Sequence, residues 1–417
     1  MNKNKMAPPI RFQGFTGDWE QRKLSDVAER VTRKNKNLES TLPLTISAQY
    51  GLIDQNEFFD KRIASKDISG YYLIRKGEFA YNKSTSNDAP WGAIKRLNRY
   101  ESGVLSTLYI VFCILDKSKT SSDYLASYYD TNLWHKEVKN IAAEGARNHG
   151  LLNIAPADFF ETKLMIPENF EEQQMIGDYF KNLDNLITLH QRKLEQQKKL
   201  KAFFLKNMFP EEGETVPRIR FKGFTGDWEQ RKLGEIGTTF SGLSGKAKED
   251  FGHGEAQFVT YMNVYLNAVS DSSMTERVEI DDHQNKVQYG DVFFTTSSET
   301  PDEVGMASVW FGSKDNTYLN SFCFGFRPTK EIDPYYMAFM PRSDIIRRKI
   351  IILAQGISRY NLSKKQVMKI VVPLPELSEQ YKIGAYLQSL DHLITLHQRK
   401  LDQLQVMKKF MLQNSFV

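Results

Sequence analysis

Two stretches of the chain carry apolar residues at alternating intervals of three and four, separated mainly by glutamine, lysine, arginine and glutamate. They cover residues 176–204 and 383–411. A stripe near 3.5 residues per repeat, sustained over four to five heptads, predicts a long helix with a coiled-coil seam. Pro167 and Pro210 bound the first stretch. The predicted seam positions are Ile176, Phe180, Leu183, Ile187, His190 and Leu194 in the first helix, and Ile383, Leu387, Leu390, Ile394, His397 and Leu401 in the second.

The two predicted helices are near copies of one another. The nine letters LITLHQRKL at 186–194 return unchanged at 393–401. An amphipathic helix can simply pack on its own domain, but two such similar stripes favour helices that pack on each other. His190 and His397 occupy matching seam positions, where paired polar residues usually fix register, so we expect that role before a metal-binding one.

A second repeat precedes each body of the chain. The segment GFTGDWEQRKL at 14–24 is identical to 223–233. We interpret it as a short turn and helix in which Phe15, Trp19 and Leu24 pack inward. The order is therefore leading segment, body and helix, given twice. It predicts globular domains at 1–166 and 211–373, a central helical spacer at 167–210 and a C-terminal helix at 374–417.

The two bodies differ in detail but share a rhythm. The segments 74–81 and 287–294 each read as a glycine turn followed by a strand, and 106–112 and 320–326 are further β-rich runs. Short helices are predicted near 122–129 and 334–340. The fold class is therefore mixed α/β (α+β), with two similar bodies. Two copies of one unit in one chain favour a pseudo-two-fold repeat, in which the two long helices form an antiparallel coiled coil.

Composition narrows the class of protein. A chain of 417 residues exceeds one ordinary core, and 41% hydrophobic with 26% charged residues is typical of a soluble globular protein. Only two cysteines are present, which excludes a disulfide framework and a cysteine-based zinc site. The leading residues lack the apolar core of an export signal, so we expect a cytoplasmic protein without membrane segments. A net charge of +5 is compatible with a polyanionic partner.

No catalytic signature is complete. The segment SGLSGKAK at 241–248 resembles a phosphate loop, but its first glycine is misplaced and no serine or threonine follows Lys246. The segment DAPW at 88–91 is one residue away from the base-binding motif of amino-methyltransferases. We therefore predict a chain without catalysis, cofactor or metal of its own.

The duplicated leading segment and the duplicated LDxLITLHQRKL-type helix together resemble the specificity subunit of type I restriction-modification systems, across essentially the whole chain. The resemblance implies that each body reads one half of a bipartite, asymmetric DNA site. It also implies that the helices space the two bodies and dock two methyltransferase (M) subunits, with two restriction (R) subunits completing the complex. S-adenosylmethionine, ATP and Mg²⁺ would belong to those partners. A helix of roughly 37 residues spans about 55 Å, an upper limit near 16 base pairs between half-sites.

Residues that could contact DNA are cationic, amide or hydroxyl groups in loop-like segments. For each one, a solvated surface loop is at least as good an interpretation. The candidates are Arg33, Lys34, Lys36, Lys83, Ser84, Asn87, Arg147 and Asn148 in the first body, and Thr296, Ser297, Arg347, Arg348, Arg359 and Tyr360 in the second.

Two other functions compete with DNA recognition. One is a coiled-coil adaptor that binds no DNA, and the other is a self-contained methyltransferase or nuclease. The length and the missing cofactor motifs disfavour the second. Salt-dependent duplex binding separates DNA recognition from the adaptor.

Overall fold

The computed structural model describes residues 7–47, 50–61, 63–142, 147–148 and 150–417, with the side chains of 147 and 148 outside the description. The chain divides into two compact units. Unit 1 comprises Met1–His190 and Lys400–Val417, and unit 2 comprises Gln191–Arg399. The domain boundaries expected from the sequence stay a prediction.

The elements of the first body and the helix that follows it are β1 (Glu20–Lys23), β2 (Ala28–Arg30), β3 (Leu44–Ser47), β4 (Gly51–Asp54), α1 (Gln55–Phe59), β5 (Tyr72–Arg75), β6 (Phe79–Asn82), β7 (Ala93–Arg96), β8 (Ser102–Leu105), β9 (Ile110–Ile114), α2 (Ser122–Tyr128), α3 (His135–Ile141), β10 (Arg147–Asn148), β11 (Leu151–Leu152), α4 (Pro156–Phe160), β12 (Lys163–Ile166) and α5 (Phe170–Asn207).

The elements of the second body and its helix are β13 (Glu229–Lys232), α6 (Leu233–Ile236), β14 (Gly237–Ser241), β15 (Phe251–Val259), α7 (Tyr261–Leu266), β16 (Thr275–Val278), β17 (Val292–Thr295), β18 (Ser297–Ser298), β19 (Ala307–Val309), β20 (Thr317–Leu319), β21 (Cys323–Pro328), α8 (Pro334–Phe339), α9 (Asp344–Ile352), β22 (Tyr360–Asn361), α10 (Lys364–Val367), β23 (Val371–Leu374) and α11 (Leu377–Asn414).

Both units are built on a four-stranded antiparallel sheet of the same order. The order is β2-β9-β6-β7 in unit 1 and β14-β21-β17-β19 in unit 2. The central strands are buried on both faces. Successive side chains point to opposite sides of the sheet, so neighbouring residues of one strand enter different apolar clusters. In β6, Phe79 and Tyr81 join one apolar cluster while Ala80 joins another. In β17, Phe294 and Phe293 divide in the same way. The mixed fold class and the repeat of one fold are thereby confirmed.

The repeated leading segment forms a strand over Glu20–Lys23 and Glu229–Lys232, and a short helical turn begins only at its last residue, Leu24 or Leu233, so most of the expected helix is replaced by a strand. β1 pairs antiparallel with β12, and β13 pairs antiparallel with β23. The first strand of each body thus closes on its last, and these backbone hydrogen bonds outweigh any local helical preference. Trp19 and Leu24 are buried as expected, whereas Phe15 is only half-buried.

An ion pair with a buried glutamate joins the arginine just before each leading segment to the long helix of its unit. Arg11 donates to both carboxylate oxygens of Glu172, at 2.6 and 2.8 Å. In unit 2, Arg220 donates to Glu379 at 2.7 and 2.8 Å. The two glutamate side chains are 1% and 0% exposed, so the bidentate geometry is what makes their burial tolerable.

The seam positions of α5 and α11 lie on the inward side of both helices. His190 and His397 are half-buried, as are Ile187 and Ile394, and the other eight predicted positions are buried. Within unit 1, Asp184 contacts Lys408 at 2.7 Å and Phe180 packs near Phe416, so those helical segments run antiparallel. A coiled coil along the full helices stays a prediction.

The same arrangement recurs within unit 2. Lys201 contacts Asp391 at 2.5 Å, and the rings of Phe204 and Tyr386 meet edge to face at 4.9 Å. Lys201 and Asp391 are 207 positions away from Lys408 and Asp184, which form the matching contact in unit 1. Phe204 and Tyr386 lie near the positions equivalent to Phe416 and Phe180. Each unit therefore contains the first part of one long helix and the last part of the other, packed antiparallel.

Candidate nucleic-acid interface

In unit 1, the loop after β6 is tied to the β10–β11 hairpin. The Thr85 amide donates to the Gly150 carbonyl at 2.7 Å, and the Leu152 amide donates to the Lys83 carbonyl at 3.0 Å. Ser84 forms a bridge with Leu151 between these two bonds. Candidate residues from two distant segments are therefore brought to one place, next to an end of the central sheet.

Unit 2 repeats this pairing with different residues. Ser298 and Tyr360 are partners in the β18–β22 pair, and the Leu362 amide donates to the Thr296 carbonyl at 2.8 Å. The Thr296 hydroxyl donates to the carbonyl of Phe322 at 2.8 Å. Candidates more than 60 residues apart along the chain thus converge, because the loop after β17 corresponds to the loop after β6.

A cluster of cations lies around Tyr72 in unit 1. Arg30 donates to the Tyr72 hydroxyl at 3.1 Å, and the Lys34 ammonium lies 3.7 Å from the centre of the ring. Burial and the neighbouring Arg30 lower the pKa of Lys83. Across the residues that the structure describes, none of these three cations forms a salt bridge with a carboxylate. They keep charge available for an external anion such as a phosphate.

Arg30 and Tyr72 were missed in the sequence because nothing local marks them. Each lies in a strand, and the contact joins residues 42 positions apart. Of the other candidates, Arg33 is paired with Glu78 at 2.9 Å, while Lys36 and Asn87 are exposed.

The side chains of Arg147 and Asn148 lie outside the described residues, although their backbone pairs with Leu152 and Leu151. A role for these two residues stays a prediction, as it does for every candidate in both units.

Two arginines of α9 have protein partners. Arg347 donates to the carbonyls of Asp302, Val304 and Gly305 at 2.7–2.8 Å. Its burial lowers its pKa, and these carbonyls occupy its guanidinium. Arg348 instead contacts Glu211 at 2.5 Å. Arg347 therefore supports a turn beside the loop 296–298, and neither side chain is positioned as free charge.

The turn between Gln355 and Asn361 carries the exposed part of the candidate interface in unit 2. The backbones of these two residues exchange hydrogen bonds at 3.0 and 2.8 Å. Gly356 has φ +148°, and a Cβ there would lie 2.0 Å from the Arg359 carbonyl oxygen, so the turn requires glycine. Ile357 is 97% exposed at its tip. The rigid turn thus presents an apolar side chain and the exposed Arg359 together.

Two further classes of site are absent from the described ranges. No helix there is long and apolar enough to cross a membrane. Nor, in that part of the chain, do three histidine, cysteine, aspartate or glutamate side chains group closely enough to hold a metal ion.

Comparison with known proteins points to one family. The family model described as the type I restriction modification DNA specificity domain matches twice, at residues 16–199 and 225–406. The putative type I restriction enzyme MjaX specificity subunit of Methanocaldococcus jannaschii is 24% identical, over 94% of this chain and 91% of that relative. The MjaVIII specificity subunit of the same organism is 22% identical, over 74% of this chain and 72% of its own length.

A solved structure has a similar fold. The crystal structure of the type I restriction-modification system S subunit from M. genitalium has a TM-score of 0.60 to this chain. The alignment covers 99% of both chains at 15% sequence identity, so it speaks for the fold alone.

Proposed function

This chain belongs to the type I restriction modification DNA specificity family, and we propose that its two units read the two different halves of a bipartite DNA site. DNA sequence specificity is the general role of the family, and specificity subunits in general are not catalytic. The proposal goes further, because it assigns one half-site to each unit and a docking role to the helices.

One observation carries the assignment of half-sites: the same loop-and-hairpin pairing recurs in both units with different side chains. Lys83 and Ser84 occupy the loop in unit 1, and Thr296 and Ser297 occupy it in unit 2. The backbone pairing is the same in both units, but the side chains that it presents differ. Base edges are recognised by specific donors and acceptors, so different side chains at the same place would recognise different sequences. The two half-sites should therefore differ.

The docking role rests on a second repeated feature, an apolar stripe that is 37–54% exposed. With the buried seam at heptad positions a and d, the stripe lies at g and c. In an antiparallel pair the g positions of both helices flank the same side of the seam. The stripe residues are Leu186, Leu189, Met407 and Phe410 in unit 1, and Leu393, Leu396, Leu200 and Phe203 in unit 2.

The body of each unit packs on the other side of the helices. At Gly177, a Cβ would lie 2.6 Å from the Tyr124 backbone nitrogen, and at Gly384 one would lie 2.7 Å from that of Tyr336. The stripe is thus left for an external partner, and it occurs twice. We assign it to two methyltransferase subunits, one per unit. Two restriction subunits would complete the complex, and S-adenosylmethionine, ATP and Mg²⁺ would be held by these partners.

The docking role can be tested by counting partners with native mass spectrometry. Phe203→Glu and Phe410→Glu should each reduce the methyltransferase subunits per chain from two to one, and the double variant should bind none. Lys199→Glu is the matched control, because position 199 is an exposed f position of the same helix. If the double variant still bound two methyltransferase subunits, the stripe would not be the docking surface.

Recognition of DNA can be tested through its salt dependence. For the complex of this chain with its methyltransferase subunits, the logarithm of affinity should fall steeply with the logarithm of salt concentration. Lys83→Ala should reduce that slope by about 1. Lys76→Ala is the control, because Lys76 precedes β6 and Lys83 follows it, at the opposite end of the strand. Affinity that does not change with salt would favour the adaptor function instead.

The half-sites themselves can be identified by methylome sequencing of a host that carries the chain with its methyltransferase subunit. A single bipartite motif with two different halves is expected. Exchange of the body 234–372 for that of a relative should alter one half alone. A change in both halves would contradict one reader per unit.

A further inference from the structure

A cleft of about 840 Å³ opens in unit 2 between the β18–β22 pair and helix α7. Ser297 and Arg359, two of the candidates for DNA contact, line it together with Tyr261, Tyr265 and Glu303. Two carboxylates, Glu299 and Glu303, line a surface proposed to face a polyanion, where phosphates would repel them, and Glu303 is the one that neighbouring hydroxyl groups hold in place. A residue of the wrong charge in such a place needs a physical explanation.

Glu303 is held in a fixed orientation. The Tyr265 hydroxyl donates to one carboxylate oxygen at 2.8 Å, and the Ser298 hydroxyl donates to the other at 3.0 Å. Hydrogen bonds from Tyr265, Thr300 and Ser298 lower the pKa of Glu303. Behind it, Arg347 binds the carbonyls of the residues on either side, as described above. The carboxylate is therefore ionised and preorganised, and each oxygen keeps a lone pair for a further donor.

The walls of the cleft suit a flat, polar ligand. The rings of Tyr261 and Tyr265 are nearly parallel, at 13° with centroids 6.2 Å apart. Phe322 is 54% exposed, and the Arg359 guanidinium lies 5.7 Å from the centre of its ring. Aromatic faces, one cation and one fixed carboxylate are the groups that contact base edges and the backbone around them.

We propose that Glu303 accepts a hydrogen bond from the exocyclic amino group of a cytosine or an adenine in the half-site read by unit 2. This inference rests on the proposed function. In the major groove, cytosine and adenine present that donor, whereas thymine and guanine present carbonyl acceptors in the same place. A fixed carboxylate is attracted by the first pair of bases and repelled by the second. Glu303 would thus be a specificity-determining residue.

The test is competition binding of the assembled complex against duplexes randomised across both half-sites. Wild type should prefer cytosine or adenine at one position of one half-site. Glu303→Gln should relax that preference by on the order of 10-fold to 100-fold, because an amide can donate as well as accept. Preferences at all other positions should remain.

The control is Asp302→Asn, which removes the same charge from the adjacent, exposed residue. Both variants should bind duplexes that lack the preferred base somewhat more tightly, since each removes a repulsion, but only the change at Glu303 should alter base preference. Tyr265→Phe removes one hydroxyl that orients the carboxylate, so it should weaken the same preference to a smaller extent.

The outcomes separate the two proposals. If wild type binds specifically and Glu303→Gln keeps the same base preference, Glu303 does not contact a base and serves only to hold Tyr265 and Ser298 in place. Wild-type binding without any sequence preference would instead overturn the proposed function. If the glutamine variant did not assemble, Glu303→Asp, which keeps the charge but shortens its reach, should show the same loss of preference.

Discussion

Phe416 should stabilise unit 1 far more than its place at the end of the chain suggests. Its side chain is 4% exposed, and its ring lies 5.5 Å from that of Tyr124 and 6.4 Å from that of Trp19. Phe209, 207 positions earlier, has the matching place in unit 2, where its ring lies 6.4 Å from that of Trp228. The residues that directly follow each long helix therefore complete the core of a unit.

The cost of truncating Phe416 to alanine follows from its burial. Removal of a buried phenylalanine ring costs about 3–5 kcal/mol, including the cavity that it leaves. The aromatic neighbours of Phe416 are themselves buried and cannot close the gap without moving. At 1.4 kcal/mol per factor of ten, hydrogen exchange of the core amides should accelerate by roughly two to three and a half orders of magnitude.

The assay is hydrogen–deuterium exchange of the full chain, read separately for peptides of β6 in unit 1 and β17 in unit 2. Phe416→Ala should accelerate exchange in β6 and leave β17 nearly unchanged, and Phe209→Ala should do the reverse. Phe410→Ala is the control, because its side chain, on α11 shortly before Phe416, is 54% exposed and its loss should change neither strand.

Two results would refute this reasoning. If Phe416→Ala accelerated exchange equally in both strands, the units would not be separate cooperative bodies. If it changed neither, the packing around Phe416 would contribute no stability. Effects confined to the expected unit in both variants would agree with the additivity of distant sites.

Three further changes test the local interactions. Glu172→Gln should destabilise unit 1 by about 1–3 kcal/mol in denaturant titration, because it replaces the charge-assisted hydrogen bonds between a buried carboxylate and Arg11 with weaker ones; an unchanged stability would contradict this. The pKa of His253 is raised by hydrogen bonds to the Glu249 carbonyl and to Glu279, so its stabilising effect should be complete below the ordinary histidine pKa and disappear as pH rises through the raised value. Titration by NMR should show that raised pKa, and Glu279→Gln should lower it. Gly356→Ala should destabilise the 355–361 turn by about 1–3 kcal/mol and raise hydrogen exchange there alone, since its φ of +148° is strained for a side chain.

The long helices were the most predictable part of the fold. Their seam is a local pattern, and the duplication made it visible twice. The helices observed, Phe170–Asn207 and Leu377–Asn414, lie inside the predicted segments 167–210 and 374–417. The short helix near 122–129 was also predicted, and it starts at Ser122 behind the side-chain cap of Ser121.

The leading segment was harder to interpret because its structure depends on a distant partner. Nothing within EQRK distinguishes a strand edge from a helical turn. Its hydrogen bonds go to β12, more than 140 residues later. Strand pairing of this kind is decided by tertiary contacts, which a local pattern does not contain.

The candidate interface shows the same limit. The loops around Lys83, Ser297 and Arg359 could be proposed from their polar and cationic residues. Arg30 and Glu303 could not, since a strand arginine and a turn glutamate resemble ordinary surface charges. The side chains of both are held by residues distant in the sequence, Arg30 by Tyr72 and Glu303 by Tyr265.

The two bodies differ even where they meet the repeated helices. Lys408 and Lys201 are equivalent helix positions, 207 residues apart. Burial opposes charging of Lys408, but Asp130 and Asp184 outweigh it and raise its pKa. Among the described residues, Lys201 forms an ion pair with Asp391 alone, and its burial together with the nearby Arg342 lowers its pKa.

Asp130 lies six residues after Tyr124, and Arg342 lies six residues after Tyr336. Because Tyr124 and Tyr336 are equivalent positions of the two bodies, one position carries opposite charges in the two bodies. The first body placed against the helix segment that carries Lys201 would supply a second carboxylate and strengthen that contact. The second body placed against Lys408 would replace an ion pair with a buried arginine, leaving Asp184 as the sole counter-charge. The first body should therefore be tolerated against the helix segment of Lys201 more readily than the second body is tolerated against the segment of Lys408.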